Sequence, residues 1–172
     1  MMMRMLEAGG MEAVVDNLRT ADADNPLGYY EFEKVKQIHK DSSWLAGARG
    51  KVFKMVSMLL FKLPPEYEYD IVFMKRNMPE ILASQAKMLQ RRETVGGNVD
   101  DRQMGELFSK HLDEIQAWLA RQANMRVLYL NYRDAIDDPA GTVRRLTQFT
   151  GRQMSADRMA AVVEKSLYRN RS

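Results

Sequence analysis

Asp70-Ile-Val-Phe-Met-Lys-Arg76-Asn-Met-Pro-Glu-Ile-Leu-Ala-Ser84 is the stretch on which the fold turns. Ile71 to Met74 is a short apolar run and reads as a buried strand. It stops at Lys75 and Arg76 and turns through Asn77 to Pro79. Helical spacing follows, with Ile81, Leu82, Met88 and Leu89 on one stripe, and predicts a helix from Pro79 to Gln90. A guanidinium thus stands at the carboxyl end of a strand, and the Ser84 hydroxyl lies in the second turn of the next helix. Open α/β sheets bind ligands just beyond the carboxyl ends of their strands. Arg offers planar donors suited to a phosphate, and Ser can add a hydrogen bond to the same anion. Spacing alone leaves two readings open. Either Arg76 and Ser84 grip an anion, or Arg76 pairs with a surface carboxylate and Ser84 is a small residue that lets helix pack on sheet.

On the amino side, Met2, Met5 and Leu6 follow helical spacing, yet no Ser, Thr, Asp or Asn precedes them as a cap. Gly9-Gly10 breaks that helix, and Ala13 to Val15 suits a short strand. Asp16 to Gly28 is polar and turn-rich. Tyr30 to His39 resumes a helical pattern through Phe32, Val35 and Ile38. Asp41 to Gly50 reads as a loop carrying Trp44, and Val52 to Val56 as a strand. The apolar run Met58 to Leu63 ends at Pro64-Pro65.

On the carboxyl side, Arg91 to Val99 reads as a loop. Asp100 or Asp101 then caps a long helix reaching about Arg121, with Met104, Leu107, Phe108, His111, Leu112, Ile115, Trp118 and Leu119 on one face. Arg126 to Asn131 is the last strand. Asp138-Pro139 supplies a cap and a first-turn proline, Val143, Leu146 and Phe149 a stripe, and Gly151 a stop. Ser155 caps a final helix bearing Met159, Val162 and Val163. Strands alternating with helices predict an α/β fold, a mainly parallel sheet flanked by helices, in a single domain spanning residues 1–172.

Composition narrows the chemistry. The 172 residues are 45% hydrophobic and 28% charged, ordinary values for a chain with a real core. Without cysteine there is no disulfide framework and no thiolate metal site, and two histidines are too few for a His-rich one. No run approaches the roughly 18 apolar residues of a membrane span. A cytoplasmic protein is expected. The net charge of +3 favours a small anionic ligand. Lys and Arg are dispersed, and no Arg/aromatic stacking motif points to nucleic acid. Fourteen methionines read as adaptable core fillers. Oligomeric state is left open. Gly47-Ala-Arg-Gly-Lys51 is not a phosphate loop: two residues separate its glycines where four are needed, and Val52 follows the lysine where Ser or Thr is needed.

Arg76 and Ser84 resemble the 3′-phosphate motif of sulfotransferases that use 3′-phosphoadenosine 5′-phosphosulfate (PAPS), where an Arg ends a strand and a Ser follows eight positions later. The resemblance extends in order along the chain through Leu6-Glu-Ala-Gly-Gly10, Asp24 to Glu31, Lys51-Val-Phe-Lys54, Leu63-Pro-Pro65, Leu82-Ala-Ser-Gln85, Tyr132 to Pro139, and Ser166 to Arg171. It implies a P-loop-NTPase-like sulfotransferase fold with PAPS as co-substrate and no protein-bound metal. The acceptor would be a hydroxyl or amine on a small molecule or carbohydrate, with Arg76 and Ser84 on the 3′-phosphate. Relatives carry a strand and a loop similar to Pro-Arg-Ser-Gly-Thr-Ser ahead of their first helix, and that loop holds the 5′-phosphosulfate. Met1 to Gly10 looks like the helix after it, so the expectation is an N-terminally truncated fold. Loss of that loop sets two readings side by side: a sulfotransferase with weakened donor binding, and a non-catalytic remnant or binding module. A nucleotide kinase of related fold would need a Gly-rich loop of its own.

The resemblance also assigns candidates for chemistry. Lys54 matches the lysine that relatives place before a catalytic histidine, but here Met55-Val-Ser57 follows and the histidine is missing. Lys54 is either an electrostatic helper at a bridging sulfate oxygen or a solvated lysine flanking a strand. Glu31, beside a turn-rich loop, is the candidate base, with Glu33 or His39 as alternatives and a helix-start carboxylate as the plain reading. His111 reads as a core or boundary histidine of its long helix. Arg169 and Arg171 lie in a basic segment that closes over the nucleotide in relatives, so Arg169 is a candidate third contact to the 3′-phosphate. Asp137 and Asp138 read as helix capping residues before a metal pair.

Overall fold

The computed structural model describes residues 1–16, 18–19, 21, 28–82 and 101–163. The elements are α1 (Met2–Ala8), α2 (Glu33–Lys36), two 3-10 segments (Ser43–Ala48 and Ser57–Lys62), β1 (Tyr69–Lys75), α3 (residues 78–82), α4 (Asp101–Leu119), β2 (Met125–Asn131), α5 (Tyr132–Asp137), α6 (Pro139–Thr150) and α7 (Ala156–Ala161). β1 and β2 pair in parallel from Tyr69 opposite Met125 to Lys75 opposite Asn131. A parallel pair needs a crossover, here the one carrying α3 and α4. The register sets Asp70 against Arg126, whose Nε and Nη2 each donate to a carboxylate oxygen at 2.7 Å. A second parallel pairing, an isolated bridge, joins Ala13 to Val52.

Alternation along the strands sorts the core into two clusters. Tyr69, Ile71 and Phe73 of β1 and Met125, Val127 and Tyr129 of β2 pack with Leu45, Leu60, Leu63, Ile115 and Leu119. Val72 and Met74 with Leu128 and Leu130 pack with Met5, Leu6, Val143, Leu146 and Met159. Side chains alternate across a strand, so a strand with both faces covered reads as one apolar run. This is why Ile71 to Met74 shows no polar alternation. Met5 and Met159 are fully buried, filling the core as their number suggested.

The carboxyl-terminal half follows its local signals closely. The Asp138 carboxylate accepts from Gly141 N at 2.8 Å, Pro139 opens α6, and Gly151 ends it at φ +64°. A Cβ on residue 141 would overlap the capping carboxylate, so a side chain there would force Asp138 to shift. Ser155 stands at the cap of α7, but its hydroxyl makes no cap hydrogen bond.

Several expectations are corrected. The loop over 41–50 holds the 3-10 segment Ser43–Ala48, with Leu45 and Ala48 buried on its inner side. Both short strands reduce to the single bridge between Ala13 and Val52. The helix over 30–39 is one turn, Glu33–Lys36. The 58–63 run forms the 3-10 segment Ser57–Lys62, and Leu63 is extended ahead of Pro64, as the residue before a proline prefers. Leu107, placed on the inner face of α4, is exposed. Helix α5 went unread, since its six residues are too few to show a period. Among the described residues no helix is long and apolar enough to cross a membrane.

Candidate functional site

A parallel register brings strand ends together. Lys75 faces Asn131, so the residues that follow, Arg76 and Tyr132, meet side by side at the carboxyl end of the sheet. The Arg76 guanidinium lies over the Tyr132 ring, 4.1 Å from its centroid. Stacking of this kind fixes the plane of the guanidinium and leaves its edge donors free to be aimed.

Lys54 reaches the same region from the segment after the Val52 bridge. Its Nζ donates to the Tyr29 carbonyl at 2.5 Å and lies 3.5 Å from Glu31 Oε1. Burial and neighbouring charge also act on the Met1 amino group. Its pKa is lowered first by burial and then by the charges of Arg4, Lys54 and Arg76. Lys54 and Arg76 line a cavity together with Met1, Met2 and Met3 at the start of α1. Tyr30 donates to Glu7 Oε2, tying the 28–31 stretch to α1. Burial, and next that hydrogen bond, push the Tyr30 hydroxyl up to about 12. Tyr30 also takes a left-handed φ of +49°, a strained setting for a bulky residue that fixes the path into Glu31.

This cavity, of about 1220 Å³, joins Arg76, Tyr132, Lys54 and the start of α1. Consecutive residues 69–76 line one wall, and 49–55 line another. Neighbouring residues of a strand point to opposite faces, so a wall that includes them all runs along the strand's edge. Val52 spends its backbone bonds on Glu12 and Val14, away from that void. Arg76, Tyr132, Lys54, Ser57 and the amino end of α1 all face the cavity.

Arg76 and Lys54 both line this cavity. Glu31 is joined to Lys54 by their ion pair but is not among the cavity's lining residues. Its carboxylate also lies 3.6 Å from Arg19 Nη1 and 3.7 Å from Lys36 Nζ, so three cations surround it. Ser84, Arg169 and Arg171 lie outside the described residues. His111 is half-buried on α4, and its Nε2 shares a 2.8 Å hydrogen bond with Ser57 Oγ. Sequence reasoning missed Tyr132 and Ser57. Tyr132 had a usable signal, since it directly follows a strand that pairs in parallel with the one ending at Arg76. Ser57 had none, because its partner is 54 residues away. Among the described residues no group of three or more His, Cys, Asp or Glu side chains is placed to hold a metal.

Comparison with known families gives one match. The sulfotransferase domain family matches residues 55–172, a span that contains Arg76, Ser84, Tyr132, His111 and Arg169 and begins just after Lys54. No curated protein and no solved structure matches the chain. The family span covers well over half of the sequence and the whole of the β1–β2 sheet that carries Arg76 and Tyr132, and the chain belongs to the sulfotransferase domain family.

Proposed function

We propose that this chain binds PAPS and transfers its sulfuryl group to a hydroxyl or amine of a small acceptor. The observation that carries the reading is Arg76, stacked on Tyr132 at the carboxyl end of β1 and facing the cavity that Lys54 also lines. The donor set suits the ligand: a planar guanidinium and an ammonium match an anion of several charges. PAPS, when bound, supplies the activated sulfuryl group. The residues of the chain bind and orient it. Arg76 takes the 3′-phosphate, with Ser84 and Arg169 as further proposed contacts. Lys54 neutralises charge near the reacting oxygen. Glu31 remains the proposed base; for that role its carboxylate must leave the surrounding cations when the acceptor enters.

Calorimetric titration with 3′,5′-bisphosphoadenosine tests the reading. Micromolar binding to the wild type that disappears in Arg76→Ala supports it. Absence of binding, or binding indifferent to Arg76, overturns it. Binding without transfer to any acceptor would identify a nucleotide-binding module.

A further inference from the structure

β1 is bonded along one edge only. Tyr69 N donates to the Asn124 carbonyl at 2.9 Å, and the parallel register gives Ile71 and Phe73 the same orientation toward β2. Alternation turns the N–H and C=O groups of Asp70, Val72 and Met74 to the other edge. Among the described residues no hydrogen bond reaches these groups. Val72 and Met74 are half-buried, a setting in which unpaired backbone is costly. The opposite wall is built alike. Val52 donates to the Glu12 carbonyl and accepts from Val14 N, so alternation turns the N–H and C=O of Phe53 the opposite way, and these also carry no bond among the described residues. The cavity is therefore a slot with backbone donors and acceptors on both of its long walls. Its other two sides are apolar. Met2, Leu6 and Met11 line it from the core on one face of β1, and Leu45, Leu60 and Leu63 from the core on the other.

A row of alternating N–H and C=O groups is met in full by another extended backbone. Side chains leave a strand toward both faces, so an occupant of this slot meets apolar surface at successive positions. The edge from Asp70 to Met74 is about 16 Å long, the reach of about five extended residues. Cations stand beside both ends. Arg49, 5.4 Å from the centroid of the Tyr67 ring, and Arg152, close to Gly50, flank the amino end of β1, and Arg76 follows its carboxyl end. Among the described residues no carboxylate pairs with Arg49 or Arg152.

We infer that the open edge of β1 receives a short extended segment of another polypeptide, apolar over about five residues and flanked by carboxylates, which docks as an added strand of the sheet. The inference goes beyond the transfer reading and does not depend on it.

The full chain is titrated with the peptide acetyl-Glu-Glu-Val-Ile-Val-Leu-Val-Glu-Glu-amide, with amide exchange read in parallel. The expected result is saturable binding with slowed exchange at Asp70, Val72 and Met74, while Ile71 and Phe73, already bonded to β2, change little. The same peptide N-methylated along its core has lost its donors and should bind at least about tenfold more weakly, the range of two or three lost neutral hydrogen bonds. A version with Lys in place of Glu should also bind more weakly. Val72→Pro removes one donor on the slot side and keeps the bonds to β2, and should lower affinity about three- to tenfold. Val72 also packs in the core, so the N-methylated peptide repeats that test without touching the fold. Absence of binding, equal binding of the N-methylated peptide, or unchanged exchange at Asp70, Val72 and Met74 would overturn the inference. So would a dimer of the chain that already protects these amides, which would assign the edge to a second copy. The titration uses no nucleotide, so its failure and the failure of bisphosphoadenosine to bind are separate results.

Discussion

The two faces of the β1–β2 sheet draw on the same fourteen strand residues and are finished differently. One face meets α1, α6 and α7 with aliphatic side chains and methionines, among them the fully buried Met5, Leu130, Leu146 and Met159. The other meets α4 and the two 3-10 segments with rings: Trp44 against Phe53, Phe61 against Trp118, Phe73 against Tyr129. Aliphatic and thioether contacts are nondirectional and adapt to shape. Edge-to-face ring contacts prefer set angles. The first face supplies stability in bulk. The second holds irregular backbone in place, and on it Ser57 is presented to the cavity by a segment that is neither long helix nor strand.

The comparison breaks most visibly at Leu146. It is fully buried on the aliphatic face and is not among the residues lining the cavity. Leu146→Ala should cost about 2–5 kcal/mol of folding stability. Denaturant unfolding would read this, and the fraction that stays folded should bind bisphosphoadenosine as the wild type does. The reverse holds at the site. Arg76→Ala should leave the unfolding midpoint nearly unchanged while removing charge-assisted hydrogen bonds worth about 1.5–3 kcal/mol of ligand binding. Arg76→Lys should recover only part of that, because an ammonium keeps the charge but neither the planar fork nor the stacking on Tyr132. Asp138→Ala, on the aliphatic side again, should cost about 1 kcal/mol by freeing the Gly141 amide, with the loss confined to α6. Amide exchange along α6 would show it.

The difference between the faces also explains what could be read from the sequence. Asp138-Pro139, the Val143 and Leu146 stripe, and Gly151 are local signals with a local cause, and α6 appeared where they placed it. Ile71 to Met74 announced β1 because covering both faces removes polar alternation. The 3-10 segments were invisible for the opposite reason. Ser43–Ala48 is held by Leu45 docking on a core assembled from residues far along the chain. At the site, Arg76 was legible as a cation ending a strand. Its stacking on Tyr132 needed the strand register, and the Ser57–His111 bond needed α4 to be set against a segment 54 residues earlier. Glu31 was legible as a carboxylate beside a turn, but not as one ringed by Arg19, Lys36 and Lys54.

The smallest predicted effect sharpens the comparison on the irregular side. Asp16 Oδ2 accepts from the Glu33 amide at 2.5 Å, and Oδ1 accepts from Leu18 N at 3.1 Å, so this carboxylate acts across the chain as a cap for the single turn α2. The Glu33 and then the Leu18 amides hold its pKa below the usual carboxylate range. Because the folded pKa is the depressed one, the contribution is fully present above the unfolded value near 4 and is lost as pH falls through the folded pKa. Protection factors at the Glu33 and Leu18 amides should therefore fall on acidification below about pH 4, ahead of any change in α6. Asp16→Asn should make exchange at both amides faster at neutral pH and remove the acid step. A step that survives in Asp16→Asn would assign it to another carboxylate. The carboxylate is fully exposed, so global stability should barely move, and the change should be confined to α2 and its approach to Glu31.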